Sequence, residues 1–165
     1  MGRKQFFYVP ALALIMLSLI SCNPEKDTTG SANVSGYVQK GPFVSGSSIT
    51  AFALKKDLSQ AGLSYNAIIK DNNGSFDLGS IGLLSDYVCL RADGFYFNEI
   101  TGKQSASQIT LYALSDVSDK GNINVNILTH LEKPRIEYLE SHGKSFTEAK
   151  KQAQSEVLAI FGIEK

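Results

Sequence analysis

From residue 34 onward the chain alternates short apolar runs with breaks rich in Gly, Asn, Asp and Ser, the pattern of strands joined by turns. It predicts strands at 34–39, 48–55, 64–70, 75–79, 86–92, 95–100 and 108–114. Within 48–55 both alternating sets are largely apolar, Ile49, Ala51 and Ala53 against Thr50, Phe52 and Leu54, so this strand is expected to be covered on both faces. Asp71-Asn72-Asn73-Gly74 is the strongest turn signal, because Asn and Gly accept the positive φ of tight hairpins. No helix-length segment separates the strands, so parallel crossovers are not expected. The reading is a mainly β chain whose residues 33–119 form a seven-stranded antiparallel β-sandwich.

After 119–121 the period changes. Ile127, Leu128, Leu131, Tyr138 and Leu139 recur at helical spacing. Thr129 and Glu132 are spaced as a capping box. Pro134 is expected to kink this helix, which ends at His142 before Gly143. Ser145 and Glu148 cap a second helix with an apolar face of Phe146, Ala149, Ala153, Val157, Ile160 and Phe161, stopped by Gly162. Two helices alone bury too little to stand independently. Residues 122–165 are therefore read as a C-terminal α-helical hairpin that packs on the sheets, on further chain or on a partner, and as the edge of a truncated longer architecture.

The N-terminus follows a different logic. Arg3 and Lys4 precede an apolar run, 6–20, broken only by Pro10 and Ser18. This suits the apolar region of a secretory signal and is short of the ~20 residues of a spanning helix. Leu19-Ile20-Ser21-Cys22 then resembles the lipobox of bacterial lipoproteins. The resemblance implies cleavage between Ser21 and Cys22, a diacylglyceryl group on the Cys22 sulfur and acylation of the new amine. Residues 1–21 are the expected signal peptide and 22–32 a flexible polar tether. Asp27-Thr28-Thr29 resembles the short O-glycosylation motif of Bacteroidetes, which makes Thr28 a candidate acceptor. The expected location is the cell envelope, lipid-anchored at the outer membrane, on its periplasmic face or the cell surface.

Composition narrows the function classes. The chain has equal numbers of basic and acidic residues, with no basic patch to bind nucleic acid. With Cys22 acylated, Cys89 is the one remaining thiol, and its run Tyr87-Val88-Cys89-Leu90 reads as a buried strand. Ser141-His142-Gly143-Lys144 has a Ser-x-x-Lys spacing but falls at a helix end and turn. Gly143-Lys144-Ser145 lacks the leading glycine of a P-loop, since Tyr138 stands there. Asp71, Asn73 and Asp77 are explained by the hairpin turn without Ca²⁺. His130 and His142 form no zinc motif, and His130 is expected to cap or pack between helices and sheet. No cofactor or metal is implied, and no enzyme is expected unless Asp93, Glu99 and His130 converge in a pocket.

Residues 34–97 resemble the carboxypeptidase-regulatory-like and transthyretin-like β-sandwiches. The matching elements are Ser35-Gly36-Tyr37-Val38, Lys40-Gly41-Pro42-Phe43, the apolar run 49–54, the 71–76 hairpin and Asp93-Gly94-Phe95. Three blocks resemble a group of uncharacterised lipoproteins of Bacteroidetes and Fibrobacteres still more closely. They are Gln39-Lys40-Gly41-Pro42-Phe43 with Gly46-Ser47, Gly94-Phe95-Tyr96-Phe97-Asn98-Glu99 with Thr101-Gly102, and Asn124-Val125-Asn126 with Leu128-Thr129-His130-Leu131. The resemblance implies a non-catalytic spacer or binding domain. Ligand contact is expected at the aromatic strands, with Tyr65, Tyr96, Asn98 and Glu99 as the candidates. The expected function is a membrane-anchored binding or structural module with a protein or glycan partner, the alternative being a carbohydrate-binding accessory of a glycan-uptake system.

Overall fold

The computed structural model describes residues 1–2, 30–118 and 122–163. Ser21, Cys22 and Thr28 lie outside them. The described chain is mainly β with two C-terminal helices, in the order β1 (Gly30–Gln39), β2 (Ser48–Leu54), β3 (Gln60–Ile68), β4 (Ser75–Leu83), β5 (Tyr87–Gly94), β6 (Phe97–Asn98), β7 (Lys103–Gln104), β8 (Ile109–Asp116), β9 (Val125–Asn126), α1 (Ile127–Ser141) and α2 (Phe146–Ile160).

The expectation of seven antiparallel strands is corrected. Among the described residues there are nine strands in three sheets, ordered β4-β1-β9, β3-β2-β5-β8 and β6-β7. The two strands not counted among the seven, β7 and β9, are two residues long, too short to show a period of two, although 122–126 reads as able to stay extended. β9 also pairs in parallel with β1, Val38 opposite Val125 and Gln39 opposite Asn126. The first strand begins at Gly30, inside the segment expected as tether.

The four-stranded sheet is covered on both faces, and alternation along its strands explains why. Ile49, Ala51 and Ala53 of β2, Val88, Leu90 and Ala92 of β5, and Leu111 and Ala113 of β8 join one core with Val34 and Val38 of β1 and Phe76, Ile81 and Leu83 of β4. The opposite face turns Phe52, Leu54, Cys89 and Leu114 toward Ile136, Leu139, Phe146, Ala149 and Ala153 of the helical hairpin. The hairpin thus finds its partner in the sheet.

Its caps explain where the helices begin. Asn126, not Thr129, caps α1, and Thr129 closes the box by accepting from the Asn126 N–H at 2.9 Å. The Thr129 hydroxyl lies 2.9 Å from the Tyr112 carbonyl, to which it donates, fastening the first turn of α1 to β8. Glu132 is thereby released from capping. It is buried, and its carboxylate accepts from Lys150 at 2.8 Å, while Lys150 also donates to the Leu114 carbonyl at 3.0 Å. Ser145 and Glu148 form the reciprocal box of α2 that the sequence predicts. Pro134 lies inside α1. Phe146, Ala149, Ala153 and Val157 are buried, whereas Ile160 and Phe161, expected on the same face, are exposed.

The register places the chain's landmarks at two ends. Gly30 is opposite Leu83, and the Ser85 hydroxyl donates to the Leu54 carbonyl, so the start of β1 shares its end with the β2–β3 turn. Ser48 is opposite Asp93, and Val44 N–H donates to Phe95 at 3.0 Å, which groups the start of β2, the end of β5 and the 95–99 segment at the other end, with Gln39.

Candidate functional site

At that second end the turn after β1 meets the segment after β5. Phe43 forms an antiparallel bridge with Tyr96, and Phe97 N–H donates to the Pro42 carbonyl at 2.8 Å. Phe43 is fully buried and pins this turn to the core. Gly41 is required here by close approach: a Cβ at that position would lie 2.0 Å from the Phe97 carbonyl oxygen. The Lys40–Gly41 peptide bond is cis. Lys40 reaches across to Tyr96, donating to its hydroxyl at 3.0 Å with the ammonium 4.3 Å from the ring centroid.

Asn98 shapes the next turn. Its side-chain oxygen accepts from the N–H groups of Ile100 and Thr101 at 3.1 and 3.3 Å, and its carbonyl accepts from Gly102 N–H at 2.8 Å. This turn between β6 and β7 holds Glu99 and Ile100 outward, with Ile100 at 97% relative exposure.

The two segments and the first turn of α1 enclose a cleft of about 380 Å³ lined by Gln39, Lys40, Gly41, Pro42, Glu99, Asn126, Ile127 and Leu128. All three blocks singled out in the sequence contribute to it, although they are far apart along the chain. Pro42, Ile127 and Leu128 supply apolar wall; Lys40 and Glu99 supply opposite charges. Among the described residues neither Lys40 nor Glu99 is in an ion pair.

The predicted ligand residues therefore separate. Glu99 lines the cleft. Tyr96 stands behind Lys40, and Asn98 is committed to the turn. Tyr65 lies on β3, at the opposite edge of the four-stranded sheet from β8, and its hydroxyl donates to the Gly82 carbonyl at 3.1 Å and accepts from Gly82 N–H at 3.0 Å. The lining residues Gln39, Lys40, Gly41, Pro42, Asn126, Ile127 and Leu128 were not among the expected contacts; the membership of all but Ile127 in the first and third blocks was the available signal.

The three residues named for an enzymatic reading have separate engagements. Asp93 pairs with Arg91 at 2.8 Å and accepts from the Thr110 hydroxyl. His130 stacks on Tyr112 with centroids 5.7 Å apart, its Nδ1 buried without a hydrogen-bond partner among the described residues. Glu99 faces the cleft. Asp71 accepts from the N–H groups of Asn73 and Ser75 and from the Ser75 hydroxyl, which chiefly holds its carboxyl below the usual range. Among the described residues no group of three or more His, Cys, Asp or Glu side chains is placed to hold a metal ion. A second groove of about 300 Å³ between sheet and α1 is floored by Phe52, Leu54 and Cys89 and rimmed by Arg91, Lys133 and Glu137. Burial pushes the Cys89 thiol up to about 11, so it is not a thiolate nucleophile at neutral pH. No described helix is long and apolar enough to cross a membrane. No family model, curated protein or solved structure matches the chain.

Proposed function

We propose that this chain is a lipid-anchored, non-catalytic binding module of the cell envelope, built on a β-sandwich of the carboxypeptidase-regulatory-like kind, whose binding surface is the cleft at the end of β1. The observation that carries the reading is the convergence of three separate blocks on one open cleft with two opposite charges, Lys40 and Glu99, that form no ion pair among the described residues. Lipidation at Cys22 rests on the lipobox resemblance, and the outer membrane is the proposed location.

The path of β1 gives this module a direction. The tether would enter at Gly30, while the cleft begins at Gln39. At ~3.3 Å per residue these ends are about 30 Å apart, close to a domain diameter. A cleft so placed is offered to a partner away from the anchoring membrane. A protein partner is favoured over a glycan, because the Tyr65 hydroxyl and the Tyr96 ring are engaged within the protein and leave no open aromatic platform between them.

The test is site-directed photo-crosslinking in intact cells, with benzoylphenylalanine at Ile100 beside the cleft or at Asp57 in the β2–β3 turn. A discrete adduct from position 100 and none from position 57 is expected. No adduct at 100, or the same adducts from both positions, would overturn the cleft as the binding surface.

A further inference from the structure

The cleft end has a property that a surface fitted to an unlike partner does not require: it matches itself. Ile100 projects from the β6–β7 turn, with Phe97 behind it at 40% exposure. Immediately beside this projection is a recess walled by Pro42, Ile127 and Leu128. The same recess carries Lys40 on one block and Glu99 on another, and they do not pair with each other. One patch thus holds both a protrusion and a hole, and both a cation and an anion.

We propose that the partner of this cleft is a second copy of the chain, docked about a two-fold axis. The proposal rests on the reading of the cleft as the binding surface and names its occupant. A two-fold interface sets the same patch of both subunits face to face, so each contact occurs twice. Ile100 of each copy enters the apolar recess of the other, and Lys40 of each copy meets the second copy's Glu99. The open end of the helical hairpin enlarges the contact. α2 packs against α1, joined to it by Arg135–Glu156 and Glu132–Lys150. Leu131 of α1 and Ile160 and Phe161 at the end of α2 remain exposed. Apolar surface beyond the central recess is needed, since a stable interface covers roughly 800 Å² on each partner.

Charge exchange tests this arrangement. The full mature chain, purified in detergent micelles, is examined by sedimentation velocity over roughly 1–100 µM, the range in which an interface of this size is readily populated. Wild type is expected to dimerise. Lys40→Glu and Glu99→Lys each set like charges against each other at two symmetric contacts and are each expected to weaken dimerisation at least ~10-fold. Mixing the two single variants is the decisive arm. The carboxylate introduced at position 40 of one chain then faces the ammonium introduced at position 99 of the other, and the native Glu99 of the first faces the native Lys40 of the second. A heterodimer is expected from two chains that are monomeric alone, which also shows that neither variant has misfolded. The proposal is overturned by a wild type that stays monomeric, by single variants that dimerise as wild type does, or by a mixture that remains monomeric. A monomeric wild type that still gives the position-100 adduct at a mass other than twice the chain overturns only the second copy. Absence of both dimer and adduct overturns the cleft reading as well.

Discussion

Gly41→Ala tests whether the cleft depends on the close passage of two backbones. The new Cβ would lie 2.0 Å from the Phe97 carbonyl oxygen, where ordinary contact begins near 3.4 Å. One backbone must therefore retreat by about 1.4 Å, far into the repulsive side of a van der Waals contact. Such a shift cannot preserve both the Phe97 N–H bond to Pro42, at 2.8 Å, and the Val44 N–H bond to Phe95, at 3.0 Å. At about 1 kcal/mol net for each bond, the expected loss of stability is about 2 kcal/mol, read as a lower urea midpoint with unchanged slope. Amide exchange should speed up at Phe97 and Val44 while β5 and β8 stay protected. Gly102→Ala is the control: its φ of +65° gives strain without a neighbour to strike, so a loss of about 1–2 kcal/mol is expected, with Val44 unaffected. If Gly41→Ala costs less than about 0.5 kcal/mol and leaves Phe97 protected, the two segments are not packed as described and the cleft is not a fixed feature.

Further consequences follow from the elements that support the cleft. Ile136 is fully buried between the hairpin and the sheet, so Ile136→Ala should cost about 2–5 kcal/mol in urea denaturation; a loss near zero would mean that α1 does not dock on β5 and β8. Arg135, then Gln152, hold the Glu156 carboxyl down to about 2, against an ordinary 4.5. The folded form therefore gains stability from this group above pH 4.5 and loses it as pH falls toward 2. Both partners are more than a third exposed, so Glu156→Gln should cost no more than about 1 kcal/mol at pH 7, with the difference from wild type vanishing near pH 2. Urea melts across that range check it; a difference that grows on acidification would contradict the pairing. With its thiol at about 11 and its side chain buried, Cys89 should resist maleimide at neutral pH and react on unfolding, followed by mass spectrometry.

The parts of the fold that sequence reading anticipated are those with a period. Alternation in β2 announced a strand covered on both faces, and the Ser145–Glu148 box announced the start of α2, because both signals are local. What escaped depended on contacts between distant segments. Asn126 caps α1 only because β9 delivers it beside β1, and Glu132, spaced correctly for a cap, instead pairs with Lys150 across the hairpin. The exposure of Ile160 and Phe161 cannot be read from a periodic apolar face, which says which side of a helix could be covered but not how far the cover extends. The site was half legible. Glu99 was named for contact, but Tyr65 and Asn98 have side chains already committed to Gly82 and to a turn. Lys40 and Pro42 stand in the sequence only within the blocks that carry the resemblance, and their chemistry shows once the turn after β1 meets α1.

The cleft is proposed to stand at the end of the module remote from a lipid anchor at Cys22. This placement is tested most directly by energy transfer to a headgroup acceptor, with the full lipidated chain in liposomes and a donor dye on Thr101→Cys or on Asp57→Cys. Cys89 is left unlabelled by its burial. The account predicts weaker transfer from position 101, beside the cleft, than from position 57, at the end where β1 begins. Equal transfer from the two positions, or stronger transfer from 101, would contradict it.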